Sequence, residues 1–377
     1  MKKSVLIIAL SARPYVEAAV LAGYAVSAID AYADALTLAL CEQVSIVAYD
    51  NHGFKADGLL AALDEFDLNA FVGVVYGSGF EAQPELLNSI AERLPLIGNC
   101  AEVVKNVKNP LTFFAALQKQ HIAYPAVSVA LPNDIEDMVI KSIGGCGGGH
   151  IQNLDLATTT LDGTNYCQQK IEGDAVSLLF VADSLAIEPI GFNLQWLSAS
   201  ADAPYRYGGA AGNADFSSAV KSQLIKAANA LTLAFGLRGL NSLDAIVRQN
   251  AGREQVYVLE INPRLSATLD LYTHAMPDVF EKHIQTCQGN ALIQNQKKAN
   301  TLSKAHAIVY ADQDLSVNSD IEWPKWVKDN PSSYKQTVKI ESGAPVCTVI
   351  AEAATAHAAK ALAQARVIDI QQLLKQK

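Results

Sequence analysis

Val139-Ile140-Lys141-Ser142-Ile143-Gly144-Gly145-Cys146-Gly147-Gly148-Gly149-His150-Ile151 reads as a strand that delivers a lysine into a loop with five glycines in six positions. Glycine lets the backbone approach a polyanion closely and take φ > 0, so that successive N–H groups converge on phosphate oxygens. Lys141 supplies a point charge just upstream. No G-K-[ST] closes the loop, so it is not a Walker loop.

A second stretch complements it: Gly239-Leu240-Asn241-Ser242-Leu243-Asp244, then Val258-Leu259-Glu260-Ile261-Asn262-Pro263-Arg264. Asp244 sits in an apolar strand. Glu260 and Asn262 are two apart on the next strand and share a face. Two acids and an amide oxygen form a hard oxygen site suited to Mg²⁺. The Arg264 fork suits a γ-phosphate or a transferred phosphoryl group. Ionised acids so closely flanked by Leu and Ile are rarely placed there without a partner. A third stretch, Tyr166-Cys167-Gln168-Gln169-Lys170-Ile171-Glu172-Gly173-Asp174, is a strand running into a turn.

Outward from these, the first hundred residues alternate strands (Val5–Ala9, Tyr24–Asp30, Val44–Tyr49, Ala70–Val75, Leu94–Gly98) with helical stretches such as Pro14–Ala22. That predicts a doubly wound parallel sheet. Ligands sit beyond the carboxyl ends of such strands, which puts Ser11, Arg13, Asp30 and Tyr76–Phe80 on one rim. Leu10-Ser11-Ala12-Arg13 is not a dinucleotide fingerprint. Leu111–Gln120 reads as an amphipathic helix. Closely spaced strands follow (Val127–Ala130, Met138–Ile143, Asn165–Ile171, Val176–Val181, Ile187–Phe192) and suggest an antiparallel sheet. The Ala-rich helix Ala219–Phe235 ends at Gly236, and strands Ser242–Val247 and Gln255–Ile261 flank a polar turn. A tail unit closes the chain with two strands, the Trp323/Trp326 segment, read as packing, and an Ala-rich helix.

The 377 residues are 50% hydrophobic and 18% charged, enough for a sizeable core in two or three domains. A formal charge of −9 argues against a nucleic-acid face. Six scattered cysteines make no C-x-x-C and seven histidines no H-x-x-x-H, so zinc and disulfides are poorly supported. No apolar run approaches the ~20 residues of a membrane span, and Val5–Ala9 reads as a strand rather than a signal. The expectation is a reduced, cytoplasmic α/β protein.

The three motifs in this order resemble the ATP-grasp superfamily, over about Lys105–Thr268. The resemblance implies mixed α/β and α+β architecture: an N-terminal αβ domain (1–100), an ATP-grasp domain (101–295, small lobe about 125–172) and a small C-terminal α+β unit (296–377). It implies ATP and Mg²⁺, or Mn²⁺, held between two antiparallel sheets. The loop glycines, Gly145, Gly147 and Gly148 among them, resemble the lid over the phosphates, and Lys141 the lysine on the α-phosphate. Lys108, or alternatively Lys105, would be a second phosphate lysine. Gln168, the Gln169 carbonyl and the Ile171 amide would read adenine. Asp244, Glu260 and Asn262 fall on the metal positions and Arg264 on the phosphate arginine. The chain departs from the family pattern at Ala175, where many members carry a ribose-binding glutamate, so that either Asp174 replaces it or the ribose is held otherwise, and at Ser142 and His150. Within the superfamily, Ile261–Thr268, Asn193-Leu194-Gln195 and Tyr205–Gly209 resemble predicted carboligases, including tyramine–glutamate ligase of methanofuran biosynthesis.

The chemistry so implied is carboxylate activation through an acyl phosphate, with release of ADP, and amide formation, glutamate and a small amine being the default pair. Arg264 and the metal would offset charge on the moving phosphoryl group, Lys141 would hold the nucleotide, and the lid would exclude water. For the substrate pocket the candidates are Asn193, Gln195, Arg206 and Tyr207, with Arg13 and the Tyr76–Phe80 rim as a second choice. The expected partners are small-molecule carboxylate and amine substrates, with a homodimer allowed and neither nucleic acid nor membrane. The competing readings are a carboxylase or phosphoryl-transfer enzyme on the same core, a non-catalytic nucleotide-binding protein, and a nicotinamide-dependent oxidoreductase, which the missing fingerprint disfavours.

Overall fold

The computed structural model describes residues 2–132, 135–156, 159–292, 302–318, 321–331 and 337–375. Its first layer is a five-stranded, all-parallel sheet in the order Val44–Ile46, Ala25–Asp30, Ser4–Ala9, Phe71–Tyr76, Leu96–Ile97. The central strand shows why it is wound on both faces. Val5, Ile7 and Ala9 point into one core with Tyr15, Val16 and Ala19 of helix Arg13–Leu21. Leu6 and Ile8 point into another with Leu59 and Leu63 of helix Ala56–Leu63 and Leu86 and Leu87 of helix Glu85–Ala91. Side chains alternate along a strand, so a run apolar at every position demands cover on both sides. The third expected strand is shorter than Val44–Tyr49: it ends at Ile46, and Tyr49–Asp50 instead pairs with Gly53–Phe54 in a hairpin.

The closely spaced strands that follow divide between two antiparallel sheets. Ile151–Asn153, Met138–Ser142, Asn165–Gln169 and Val127–Ser128 form a four-stranded sheet. Asp174–Asp183 and Ile187–Leu197 belong to an eight-stranded sheet with Arg238–Asn250 and Arg253–Asn262 at one end. The link 170–173 is the hinge between them. Helix Ser218–Phe235, capped by the Ser217 side chain and closed by Gly236 at φ 66°, buries Leu224, Ala228 and Leu231 against Val176, Leu178 and Phe180. That covers one face of the large sheet.

The large sheet does not stop near residue 296. Strand Tyr207–Ala211 pairs with Ser303–Tyr310, which pairs with Pro345–Ala353, and helix Ala356–Lys375 packs on these strands. The C-terminal segment therefore continues the sheet of the segment before it. Trp323 and Trp326 pack against its core. Among the described residues no helix is long and apolar enough to cross a membrane.

Candidate active site

Asp244 and Glu260 lie directly opposite on adjacent antiparallel strands, and Ser242 opposes Asn262. The two-residue spacing thus places Asp244, Glu260 and Asn262 on one face. Lys108, at the last turn of helix Ala101–Lys108, reaches into this face: Nζ donates to Glu260 Oε2 and Asn262 Oδ1, both at 3.0 Å. Lys105, one turn earlier, points outward to Glu85 at 3.4 Å. Asp244 meets amides only, accepting from Gln195 Nε2 at 3.2 Å and Asn262 Nδ2 at 2.9 Å.

Charge is unevenly shared. Burial, then the Glu260 carboxylate opposite, push the Asp244 carboxyl up to about 7. Burial would raise Glu260 as well, but Lys108 and then Lys141 outweigh it and hold that carboxylate down to about 2. Lys141, on strand Met138–Ser142, is pushed below its usual value by burial. Its ammonium meets no hydrogen-bond or ion-pair partner among the described residues.

Arg264 is held by a residue that the sequence reading did not single out. Its Nε donates to Glu81 Oε1 at 2.8 Å, while Nη1 donates to the Leu265 carbonyl and Nη2 to Asn262 Oδ1. Glu81 is 4% exposed, and its other oxygen accepts from the Gly79 and Phe80 N–H groups. Burial disfavours both charges. Each still keeps its partner ionised: Glu81 lies below and Arg264 above its ordinary pKa. The only sequence signal for Glu81 was its place just past the Tyr76–Phe80 rim.

The glycine loop crosses over this face and docks on the opposite wall. Tyr207 N donates to the Gly147 carbonyl, and Tyr205 Oη donates to Asn153 Oδ1 at 2.6 Å. Gly148 shows why glycine is required. It lies at φ +75°, and a Cβ there would stand 2.0 Å from the Tyr205 carbonyl oxygen. His150, at the loop's end, has a buried Nδ1 without a partner among the described residues, and burial pushes its pKa down.

Two cavities meet here. The larger, ≈ 590 Å³, lies between the two antiparallel sheets. Lys108, Lys141, Gly145, Gly148, Gln168, Gln169, Ile171, Asp174, Asp244 and Glu260 all line it. Gln168 is 1% exposed and its Nε2 has no partner among the described residues. The smaller, ≈ 350 Å³, runs toward the parallel sheet past Gly147, Asn262 and Arg264 to Arg13. Gln195, Asp244 and Glu260 line both.

Two of the substrate candidates, Asn193 and Arg206, line neither cavity, and a third is enclosed by acids. Asn193 lines neither cavity; its Nδ2 donates to Ser177 Oγ and its Oδ1 accepts from Tyr272 Oη. Arg206 turns away, donating to the Ser198 and Gly343 carbonyls and stacking 3.7 Å over the Tyr310 ring. Arg13 does line the smaller cavity, yet three carboxylates enclose its guanidinium: Glu17 at 2.8 Å, Asp270 at 2.9 Å and Asp329 at 2.8 Å. Gln195 and Tyr207 remain at the cavity wall.

Among the described residues no group of three His, Cys, Asp or Glu side chains could hold a metal. The oxygen set at this site is instead two carboxylates and amide oxygens.

Residues 107–268 match a family model described as an ATP-grasp domain. No curated protein matches the chain in sequence. Among solved structures, the biotin carboxylase domain of Hydrogenobacter thermophilus 2-oxoglutarate carboxylase, a dimer in complex with MgADP, ADP and bicarbonate, is similar at TM-score 0.70 and 12% identity. The alignment covers 94% of this chain and 87% of that one. An ADP complex of N5-carboxyaminoimidazole ribonucleotide synthetase aligns at TM-score 0.65 and 14% identity, covering 98% of both chains. L-amino acid ligase from Bacillus licheniformis aligns at TM-score 0.66 and 14% identity, covering 98% and 97%. The chain shares its overall fold with these solved structures over 94–98% of its length, and its residues 107–268 carry the match to the ATP-grasp domain model.

Proposed function

We propose that this protein is an ADP-forming carboxylate–amine ligase that binds ATP and Mg²⁺ in the larger cavity and its carboxylate and amine in the smaller. The observation that carries the reading is the junction of the cavities at Gln195, Asp244 and Glu260, with Lys108, Lys141 and Arg264 around it. Two substrates placed in the two cavities would meet beside these charges, which is the positioning that phosphoryl transfer needs.

The residues fit the nucleotide and the metal. Gln168 offers a buried amide with an unused donor at the hinge end, where adenine would lie beside the Gln169 carbonyl and the Ile171 amide. Asp174, which lines the same cavity, would serve the ribose. Asp244 and Glu260 are carboxylates face to face, and only Glu260 has a cation on it, so a divalent ion suits the pair. Bound there with the amide oxygen of Asn262, Mg²⁺ would neutralise charge on the transferring phosphoryl group.

A substrate carboxylate oxygen would attack the γ-phosphorus, and the bond to the ADP oxygen would break, giving an acyl phosphate. The amine nitrogen would then attack the acyl carbon, losing a proton as phosphate leaves. Lys141 and Lys108 hold nucleotide phosphates, and Arg264, aimed by Glu81, stabilises the oxygens of the group in transit. The loop seated on Tyr205 and Tyr207 keeps water from the acyl phosphate. An amino acid such as glutamate joined to a small amine is the pair this reading favours.

The test is an ADP-release screen of amino acids paired with amines, after the melting midpoint has been measured with ATP, Mg²⁺ and both. A shift needing both ligands, and ADP release needing a carboxylate and an amine together, is the expected result. Release that needs bicarbonate instead would replace the ligase with a carboxylase. No shift with any nucleotide would overturn the assignment of the larger cavity.

A further inference from the structure

We propose that a third cleft, ≈ 360 Å³, between helix Arg13–Leu21 and the C-terminal strands is a binding site for a compact multivalent anion, distinct from the nucleotide cavity. Its walls carry four cations, Lys304, Lys325, Lys328 and Arg366, with His274, against only two carboxylates, Glu17 and Glu352. The chain as a whole has 38 acidic and 29 basic side chains, so this excess of cations runs against the overall composition.

Two of the cations have no carboxylate on them. Lys325 is exposed and, among the described residues, pairs with none. Arg366 donates to the Ile350 carbonyl and lies 4.9 Å from the Trp326 ring centroid, again with no carboxylate within ion-pair distance among the described residues. Burial pushes its pKa down, although the more distant Asp369 and Glu352 carboxylates act in the opposite direction. An arginine packed on a tryptophan is held in one orientation, so little freedom is lost when it receives an anion.

The other two cations join this cleft to the smaller cavity of the active site. Lys328 pairs with Glu17 at 3.7 Å, and Glu17 holds Arg13 at 2.8 Å. Lys304 pairs with Asp270 at 3.2 Å, and Asp270 holds Arg13 at 2.9 Å. One layer of ion pairs therefore separates the two spaces. An anion drawing Lys328 and Lys304 toward itself leaves Glu17 and Asp270 more fully to Arg13, and so reaches the wall of the smaller cavity. The volume suits a small metabolite, and carboxylate or phosphate groups supply the charge.

Isothermal titration with citrate and, separately, with inorganic pyrophosphate, in metal-free buffer on the full chain, tests the site. One saturable site per chain is expected, weakened by about tenfold or more in Lys325→Glu and in Arg366→Gln. It should be unaffected when the chain is first loaded with ADP. Lys325 is exposed, so Lys325→Glu leaves packing intact even where Arg366→Gln disturbs the Trp326 stack. The probe that binds tells carboxylate from phosphate recognition. Failure of both probes to bind, equal affinity in both variants, or displacement by ADP would each overturn the proposal. None of these results depends on the ligase reading.

Discussion

Glu81→Gln isolates the contact that ties the parallel-sheet domain to Arg264. The substitution preserves shape. The amide oxygen can still accept from Arg264 Nε, but the amide nitrogen cannot accept from the Gly79 and Phe80 N–H groups that Glu81 Oε2 now satisfies. Breaking a buried ion pair costs about 3–5 kcal/mol, and leaving a buried donor unmet about 1–3 kcal/mol. With one hydrogen bond retained, about 3 kcal/mol is expected. At about 2.1 cal/mol/K of unfolding entropy per residue, over 377 residues, that lowers the melting midpoint by about 4 °C at pH 7. The difference has a defined pH dependence. Glu81 titrates below its ordinary value in the folded chain, so its contribution is complete above the unfolded carboxyl pKa and is lost as pH falls through the folded one. The gap between wild type and variant should therefore narrow below pH ~4. Arg264 loses its fixed orientation, and ADP release should fall by about tenfold to a hundredfold. Scanning calorimetry at pH 7 and at a pH well below 4, with an ADP-release assay, measures all three. A variant that melts with wild type at pH 7 and turns over at the wild-type rate would refute the role given to Glu81.

Glu260→Gln removes one of the two carboxylates that would hold the ion, so nucleotide stabilisation should lose its Mg²⁺ dependence while the fold survives; an unchanged Mg²⁺-dependent shift would exclude Glu260 as a metal ligand. Asp244→Asn works on the opposite sign. A carboxyl raised to about 7 in the folded chain binds a proton more tightly there than when unfolded, so nucleotide-free stability falls as pH rises from the unfolded value toward 7. The variant should gain stability over wild type at pH 8 and not at pH 4, read by thermal melts, while losing the ADP·Mg²⁺ shift. Gly148→Ala places a Cβ into the Tyr205 carbonyl at φ +75°. The loop should then seat poorly, with KM for ATP rising at least about tenfold and proteolysis within the loop accelerating; wild-type KM would show that the loop works in another position. Lys141→Ala should weaken ATP binding in a direct titration while the free chain stays folded, since among the described residues the ammonium makes no hydrogen bond or close ion pair; unchanged affinity would break the assignment of this lysine to the nucleotide.

Local spacing carried much of the reading. Five glycines behind a lysine announce a phosphate-binding loop because only a backbone without side chains can pack that closely. Asp244, Glu260 and Asn262 could be placed on one face because strand periodicity is 2 wherever the chain runs extended. The doubly wound sheet was legible because Val5–Ala9 is apolar at every position.

Contacts between distant segments were not legible. Lys105 and Lys108 sit one turn apart on one short helix, and only the packing of that helix against Glu260 separates an inward lysine from one that meets Glu85. Arg13 and Arg206 look alike as arginines near a candidate substrate pocket, yet one is enclosed by acids from residues 17, 270 and 329 while the other lies flat on Tyr310. Asn193 and Gln195 are two residues apart on one strand, but Tyr272 and Ser177 engage the first and Asp244 the second. Glu81 acquires its partner 183 positions along the chain. Periodicity and glycine content are properties of neighbours along the backbone, so the sequence alone determines the strands, the loop and the shared face. Which charge meets which depends on segments brought together only when the sheets close, and that the tertiary structure decides.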